Sequence, residues 1–246
     1  VIAESARQLR LLDLQAIDTR LDQIAHARTH LPQLAELHDL EGKARLIDDQ
    51  LVRSRTELDD IQREVAKAEA DVQLVRDRAA RDRARLDAGT GTAKDLQALQ
   101  HEMVSLTRRQ AELEDIELEV MERAEAAESD VSALDRGRGE LTARIEALEA
   151  ARDEAFARLD GEAAEVGAPR ETLAAEVGPD LMALYEKVRI SNGGTGAAPL
   201  RQRRCGGCQL EVNPVEIERI RQAPSDEVLR CEECRRILVR TPESGL

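Results

Sequence analysis

An apolar residue recurs every three and then four positions from Leu37 to Leu86, through Leu40, Ala44, Ile47, Leu51, Leu58, Ile61, Val65, Ala68, Val72, Val75 and Ala79. Of the fifteen positions on this stripe only Ser54 and Asp82 are polar. A 3.5-residue repeat sustained this far lines one side of a helix with apolar side chains and requires a partner helix to cover them. At about 1.5 Å per residue the stripe is roughly 75 Å long. It stops at Asp87-Ala88-Gly89-Thr90-Gly91, and a second stripe runs from Leu96 to Leu159 with fifteen of nineteen positions apolar. Thr92 with Asp95 three residues on reads as an N-cap with an acidic partner, which starts the second helix. Two long stripes joined by a tight turn predict an antiparallel helical hairpin.

The stripes can be set in register. If Leu86 faces Leu96, then Ala79 faces Met103, Leu51 faces Val131, and Gly42 falls near Gly139. Glycine costs a helix about 1 kcal/mol against alanine, so a kink or loosening is expected at that level. The polar seam residues Ser54, Asp82, Gln110 and Glu117 are expected to set register at a cost in stability. Leu14, Ile17, Leu21 and Ile24 mark a further helix, interrupted at His30-Leu31-Pro32 because proline disfavours helical geometry in the residue before it. The same register carries that helix alongside residues up to about Ala168. Beyond Gly167-Ala168-Pro169 a shorter apolar stretch is divided by Gly178-Pro179, and Asn192-Gly193-Gly194-Thr195-Gly196 reads as a linker or turn.

Composition agrees with this. The 246 residues include one Phe, one Tyr and no Trp, so no aromatic-rich core is available. Net charge is −14 and uneven: residues 200–246 hold nine Arg, no Lys and eight acids, leaving 27 basic and 42 acidic side chains before them. An acidic hairpin repels nucleic acid and membrane surfaces, so contact with a polyanion is expected only from the C-terminal segment. No apolar run is long enough for a membrane span and no secretion-signal pattern is visible. A reducing cytoplasm is the expected compartment.

All four cysteines lie in that segment, as Cys205-Gly206-Gly207-Cys208 and Cys231-Glu232-Glu233-Cys234. Each pair can hold two thiolates on one side of a metal, and two pairs complete the tetrahedral four-sulfur shell that zinc favours. The competing readings are two disulfides, disfavoured in a reducing compartment, and a redox dithiol, which needs a βαβ context absent here. Asn213-Pro214-Val215-Glu216 reads as a helix start within the loop between the pairs, running to about Gln222. Leu210–Val212, Glu227–Arg230 and Ile237–Arg240 remain as short strands. The expected cofactor is one structural zinc ion on Cys205, Cys208, Cys231 and Cys234. So small a module buries too little surface to fold alone, so the metal supplies its folding free energy.

The fold class expected is therefore mainly α, a long antiparallel coiled-coil hairpin followed by a small four-cysteine zinc ribbon. Its divisions are 1–168 for the hairpin, turning near 87–92, 169–199 for short helices and a Gly-rich linker, and 200–246 for the ribbon. The arrangement resembles the bacterial C4-type zinc-ribbon family whose members carry a helical hairpin before the ribbon. Lys94-Asp95-Leu96-Gln97-Ala98-Leu99-Gln100-His101-Glu102 after the turn carries the resemblance. So do Leu184-Tyr185-Glu186-Lys187-Val188-Arg189, the glycines at 193–196 and the two cysteine pairs. Where the family commonly has Gly after the last cysteine, Arg235 stands here. The resemblance implies nucleic-acid-binding or protein-interaction proteins, some linked to transcription or flagellar regulation.

Three function classes follow. The first is a non-enzymatic adaptor that presents its ribbon and hairpin tip to protein partners. The second is a nucleic-acid-binding regulator using Arg203, Arg204, Arg235, Arg236 and Arg240 around the knuckles, since arginine matches phosphate geometry. The ribbon has no aromatic to stack on bases, which weighs against single-strand binding. The third, an enzyme, finds no nucleophile–base set, catalytic metal or small-molecule cleft in the sequence. Asp22, His26 and His30, four apart on one helix, are expected to be surface polar residues rather than a second metal site.

Overall fold

In the computed structural model, which describes Val1–Leu246, the chain divides into two compact units. One is Ala35–Glu149, and the other joins Val1–Leu34 to Ala150–Leu246. Helix α1 spans Ser5–Thr29, α2 Pro32–Asp87 and α3 Ala93–Gly167. The break expected at His30-Leu31-Pro32 is present, with proline opening α2.

In the Ala35–Glu149 unit, α2 and α3 run antiparallel as expected. Leu37, Leu40, Ala44, Leu51, Ile61, Ala68 and Val72 are buried on α2, against Leu99, Leu106, Leu113 and Val120 on α3. At the turn, the Thr92 N–H donates to Asp95 Oδ2 at 2.9 Å and the Asp95 N–H donates to Thr92 Oγ1 at 3.3 Å, a reciprocal cap. The Thr92 hydroxyl and N–H bonds hold the Asp95 carboxyl below its ordinary range. Arg78 pairs with Glu102 and Arg144 with Glu36, each within two residues of the expected register.

The glycine expectation is corrected in one respect. A Cβ on Gly139 would meet nothing within 4 Å, whereas one on Gly137 would lie 3.9 Å from Ile47 Cδ1. Gly137 is thus the glycine on the side turned toward α2, while Gly139 is exposed. Both helices run unbroken through these glycines. Val131, Leu134, Leu141, Ile145 and Leu148 on the α3 stripe are half-buried, while Leu37, Leu40, Ala44 and Leu51 on α2 are buried. Asp82, on the seam, is buried with Oδ2 unbonded and Arg78 and Arg85 at 3.9 and 3.8 Å.

In the other unit, α1 lies against the end of α3. Arg28 reaches Asp160 at 2.5 Å and its guanidinium stands 4.3 Å from the centre of the Phe156 ring. Arg20 pairs with Glu162. Helices α4 (Arg170–Val177) and α5 (Pro179–Ser191) are split at Gly178 as expected. Strands β1 (Ala197–Arg201), β2 (Arg204–Cys205), β3 (Leu229–Arg230) and β4 (Ile237–Val239) form one sheet in the order β2-β1-β4-β3, with β1 and β4 parallel. Helix α6, Pro214–Gln222, begins where the sequence placed it, with Asn213 Oδ1 accepting the Val215 N–H at 2.9 Å.

Two strand expectations need correction. Leu210–Val212 forms only a single bridge, Arg204 to Glu211, and the stretch from Ala197, read as the end of a linker, is the central strand β1. Alternation explains β1. Ala197, Ile237 and Val239 face a core with Leu11, Leu14, Val177, Leu181 and Tyr185. Ala198, Leu200 and Leu238 face a second core with Ile217, Ile220, Leu229 and the cysteines. Successive side chains on a strand point to opposite faces, so this small sheet is the common wall of both cores.

Candidate metal centre

Both knuckles are built alike. The Cys205 N–H donates to the Leu210 carbonyl at 3.0 Å and the Gln209 N–H to the Cys205 carbonyl at 2.8 Å. In the second knuckle the Cys231 N–H donates to the Arg236 carbonyl and the Arg235 N–H to the Cys231 carbonyl, both at 2.9 Å. The residue after each second cysteine is left-handed, Gln209 at φ 63° and Arg235 at φ 62°. The first knuckle admits only glycine in its interior. A Cβ on Gly206 would stand 2.9 Å from the Pro199 carbonyl oxygen, and one on Gly207 2.6 Å from Arg236 Cδ.

The four sulfurs lie within 4.8 Å of one another. Cys205 Sγ is 3.8 Å from Cys234 Sγ, and Cys208 Sγ is 3.9 Å from Cys231 Sγ. A tetrahedron of sulfurs at about 2.3 Å from zinc has edges of about 3.8 Å, so the donor set fits one zinc ion. It does not fit disulfides, whose sulfurs approach to about 2.05 Å. Burial pushes the Cys205 thiol up to about 12 and the Cys231 thiol upward. At Cys234 burial also acts upward, but the bonds from the Arg236 backbone and guanidinium and from the Cys231 and Cys208 thiols outweigh it, giving about 7. Zinc therefore enters by displacing protons, and its affinity falls as pH falls. With four sulfurs bound, no coordination position stays open.

The family's glycine position is met by a strained arginine. A left-handed non-glycine residue costs about 1–2 kcal/mol. The hydrogen bonds made by Arg235 in the knuckle use its backbone: its N–H to Cys231, and its carbonyl accepting from Arg230 Nε at 2.8 Å. Arg235→Gly is expected to stabilise the zinc-loaded ribbon by about 1 kcal/mol, read as a raised thermal midpoint. A lowered midpoint would show that the side chain contributes more than the strain costs.

The arginines fare differently from one another. Arg236 donates to the carbonyls of Thr195 and Asn192, both at 3.2 Å, tying the second knuckle to the end of α5. Arg240 donates to the carbonyls of Ala223, Pro224, Ile220 and Glu227, closing the C-terminal end of α6. Arg203 sits with Gln202 in the two-residue β1–β2 turn, both at positive φ, and its Nε donates to the Gly245 carbonyl at 3.2 Å. Arg204 and Arg235 are exposed, and their side chains make no hydrogen bond or ion pair. Asp22, His26 and His30 do not converge: the two imidazoles stack at 3.9 Å and Asp22 is taken by Arg189.

A polar cluster was not anticipated from the sequence. Asp18, 1% exposed on α1, accepts from Tyr185 Oη at 2.8 Å and from Arg170 at 2.6 and 3.2 Å, with Arg189 Nε at 3.5 Å. One turn away, Gln15 accepts from the N–H groups of Gly196 and Ala197 and donates to the Gly194 carbonyl, so the glycine segment is a held loop that launches β1. The available signal was that Gln8, Gln15 and Asp18 share the spacing of Leu11 and Leu14 on α1. Burial, and then the Asp18 bond, push the Tyr185 phenol well above its ordinary range. The folded chain thus holds that proton more tightly than the unfolded one. The stability it contributes is whole below about pH 10 and is lost as pH rises beyond. As Tyr185 is the only tyrosine, tyrosinate absorbance is expected to rise only together with unfolding in an alkaline titration. Tyrosinate forming near pH 10 in a chain that keeps its helical circular dichroism and its zinc would contradict this.

The CT398-like coiled-coil hairpin domain matches residues 14–193 and the C4-type zinc ribbon domain residues 204–238. An uncharacterized protein of Mycobacterium tuberculosis is 40% identical over 235 residues, 96% of each chain. One from Mycobacterium leprae is 32% identical over 240 residues, covering 94% of this chain and 95% of its own. A solved structure from Mycobacterium smegmatis superposes with a TM-score of 0.85 at 38% identity, covering 98% of this chain and 100% of that one. CT398 from Chlamydia trachomatis superposes with a TM-score of 0.69 at 19% identity, over 96% and 98% of the two chains, a likeness of fold alone.

Proposed function

Since this chain belongs to the CT398-like coiled-coil hairpin family and ends in a C4-type zinc ribbon, we propose that it is a non-enzymatic adaptor. Its hairpin and zinc-held ribbon bind protein partners, in transcription-related regulation. The observation that carries this reading is the internal use of the ribbon's arginines. Arg236, Arg240 and Arg203 are engaged with backbone carbonyls of the same chain. Only Arg204 and Arg235, of the five candidates, keep free guanidinium groups. A closed four-sulfur shell leaves the metal no place for substrate, which supports a scaffolding role. No helix is long and apolar enough to cross a membrane.

The alternative, a nucleic-acid-binding regulator, now rests on those two free arginines. Two phosphate contacts give a slope of about −2 in log affinity against log salt, a weak and strongly salt-sensitive interaction. The adaptor reading is tested by photo-crosslinking in cells with and without nuclease. Protein crosslinks that survive nuclease are expected. Crosslinks abolished by nuclease, together with RNA or DNA binding lost in Arg204→Ala/Arg235→Ala, would transfer the assignment to the regulator.

A further inference from the structure

A groove of about 310 Å³ runs between the second knuckle and the start of α6. Leu210, Glu211, Val212 and Pro214 line it together with Glu232 and Glu233. Leu210 is 52% exposed, an apolar side chain that the chain itself leaves uncovered. None of Glu211, Glu232 and Glu233 forms an ion pair, although the ribbon holds nine arginines. Seven of those arginines have partners elsewhere in the chain, Arg204 and Arg235 stay free, and Arg219 on α6 is bound to the buried Glu216 while also feeling the charge of Glu232. Cys231 also lines the groove, so a zinc centre with four thiolates would add a net charge of about −2 beside it.

The groove also borders a free sheet edge. Leu210 accepts from the Cys205 N–H and Val212 donates to the Arg203 carbonyl, which fixes this segment onto β2. The main chain of Glu211 between them makes no backbone hydrogen bond and points away from β2. An extended chain can add itself to such an edge, with alternate side chains entering the groove.

We propose that this groove captures an extended protein segment in which Lys or Arg residues alternate with apolar ones. The apolar side chain packs on Leu210 and Val212, the cations meet Glu211 and Glu233, and the backbone pairs with Glu211. The inference rests on the adaptor reading and adds to it the chemistry of the partner.

The test uses the full, zinc-loaded chain and a labelled Lys-Val-Lys-Leu-Lys peptide followed by fluorescence anisotropy at low salt. Saturable binding is expected, weakening as salt rises, with none for the matching glutamate peptide. Glu211→Lys/Glu233→Lys is expected to weaken it by about tenfold or more, and so is Leu210→Asp. Glu218→Lys, on an exposed residue paired with Arg221 outside the groove, is expected to leave it unchanged. Zinc content and the helical circular dichroism confirm that each variant is folded. No binding of the lysine peptide, equal binding of the glutamate peptide, or equal loss in Glu218→Lys would overturn the proposal. In cells, nuclease-resistant crosslinks unaltered by the double variant would overturn the groove and leave the adaptor reading standing. The absence of any such crosslink, from groove or hairpin, would remove the adaptor reading itself.

Discussion

Stripped of zinc, or carrying Cys231→Ser, the chain is expected to lose the fold of residues 198–239 while the Ala35–Glu149 hairpin keeps its helices. The ribbon core consists of Ala198, Leu200, Ile217, Ile220, Leu229 and Leu238 together with Cys205 and Cys231 themselves. So small an apolar cluster does not offset the entropy of ordering its chain. Metal binding in comparable modules supplies about 10–16 kcal/mol. Hydrogen exchange measured along the chain before and after chelation reads the outcome. Amides of β2, β3, β4 and α6 should exchange freely, and those from Leu37 to Val120 should not change. Because Ile237 and Val239 also line the core around Tyr185, partial loss of protection in α1 and α5 is expected as well. Retention of slow exchange in the ribbon without metal would refute a metal-dependent fold. Unchanged helical circular dichroism alone would not, since the ribbon contributes only the nine residues of α6 to the helix content.

The second large effect is expected at Asp18. Its carboxylate is buried and is the shared acceptor of Tyr185 and Arg170, with Arg189 close by. Asp18→Ala leaves the buried Tyr185 phenol without its acceptor and removes the shared buried anion, although Arg170 keeps Glu186 and Arg189 keeps Asp22. The loss is expected to cost about 3 kcal/mol, the lower end of the range for breaking a buried pair. For a unit of this size that amounts to a fall of about 10 °C or more in thermal midpoint. Tyr185→Phe removes a single hydrogen bond and should cost about 1–2 kcal/mol. Tyr185 fluorescence, unaccompanied by tryptophan in this chain, follows the melting of the unit that contains it in Asp18→Ala. Equal costs for Asp18→Ala and Asp22→Ala would refute the argument, because Asp22 is half-exposed and pairs with Arg189 at the surface. The expected loss is larger than that from deleting surface ion pairs such as Arg55 with Asp135, for which about 0–1 kcal/mol is usual.

How legible these features were depended on whether their cause is local. The Thr92–Asp95 cap, the Asn213 cap with Pro214, and the breaks at Pro32 and Gly178 each arise within three or four residues, and all are where the sequence placed them. The zinc centre was legible for a related reason. Two C-x-x-C loops each fold locally, and only their approach to one another needs the sheet. The second knuckle keeps its shape with Arg235 at φ 62° because the surrounding backbone bonds over-determine the turn, so the turn here does not require glycine.

The sequence by itself determined the two long helices, their antiparallel pairing, and a four-sulfur site for one zinc ion. These follow from periodicity and spacing, which the chain carries along its own length. Only the tertiary structure decided that Ala197–Arg201 is a central strand, that Gly137 and not Gly139 faces α2, and that Asp18 and Gln15 anchor the ribbon's entry. It alone separated arginines bound to carbonyls from arginines open to solvent. Such assignments depend on which distant segments share a core, and the burial of a polar side chain is set by partners 150 or more residues away.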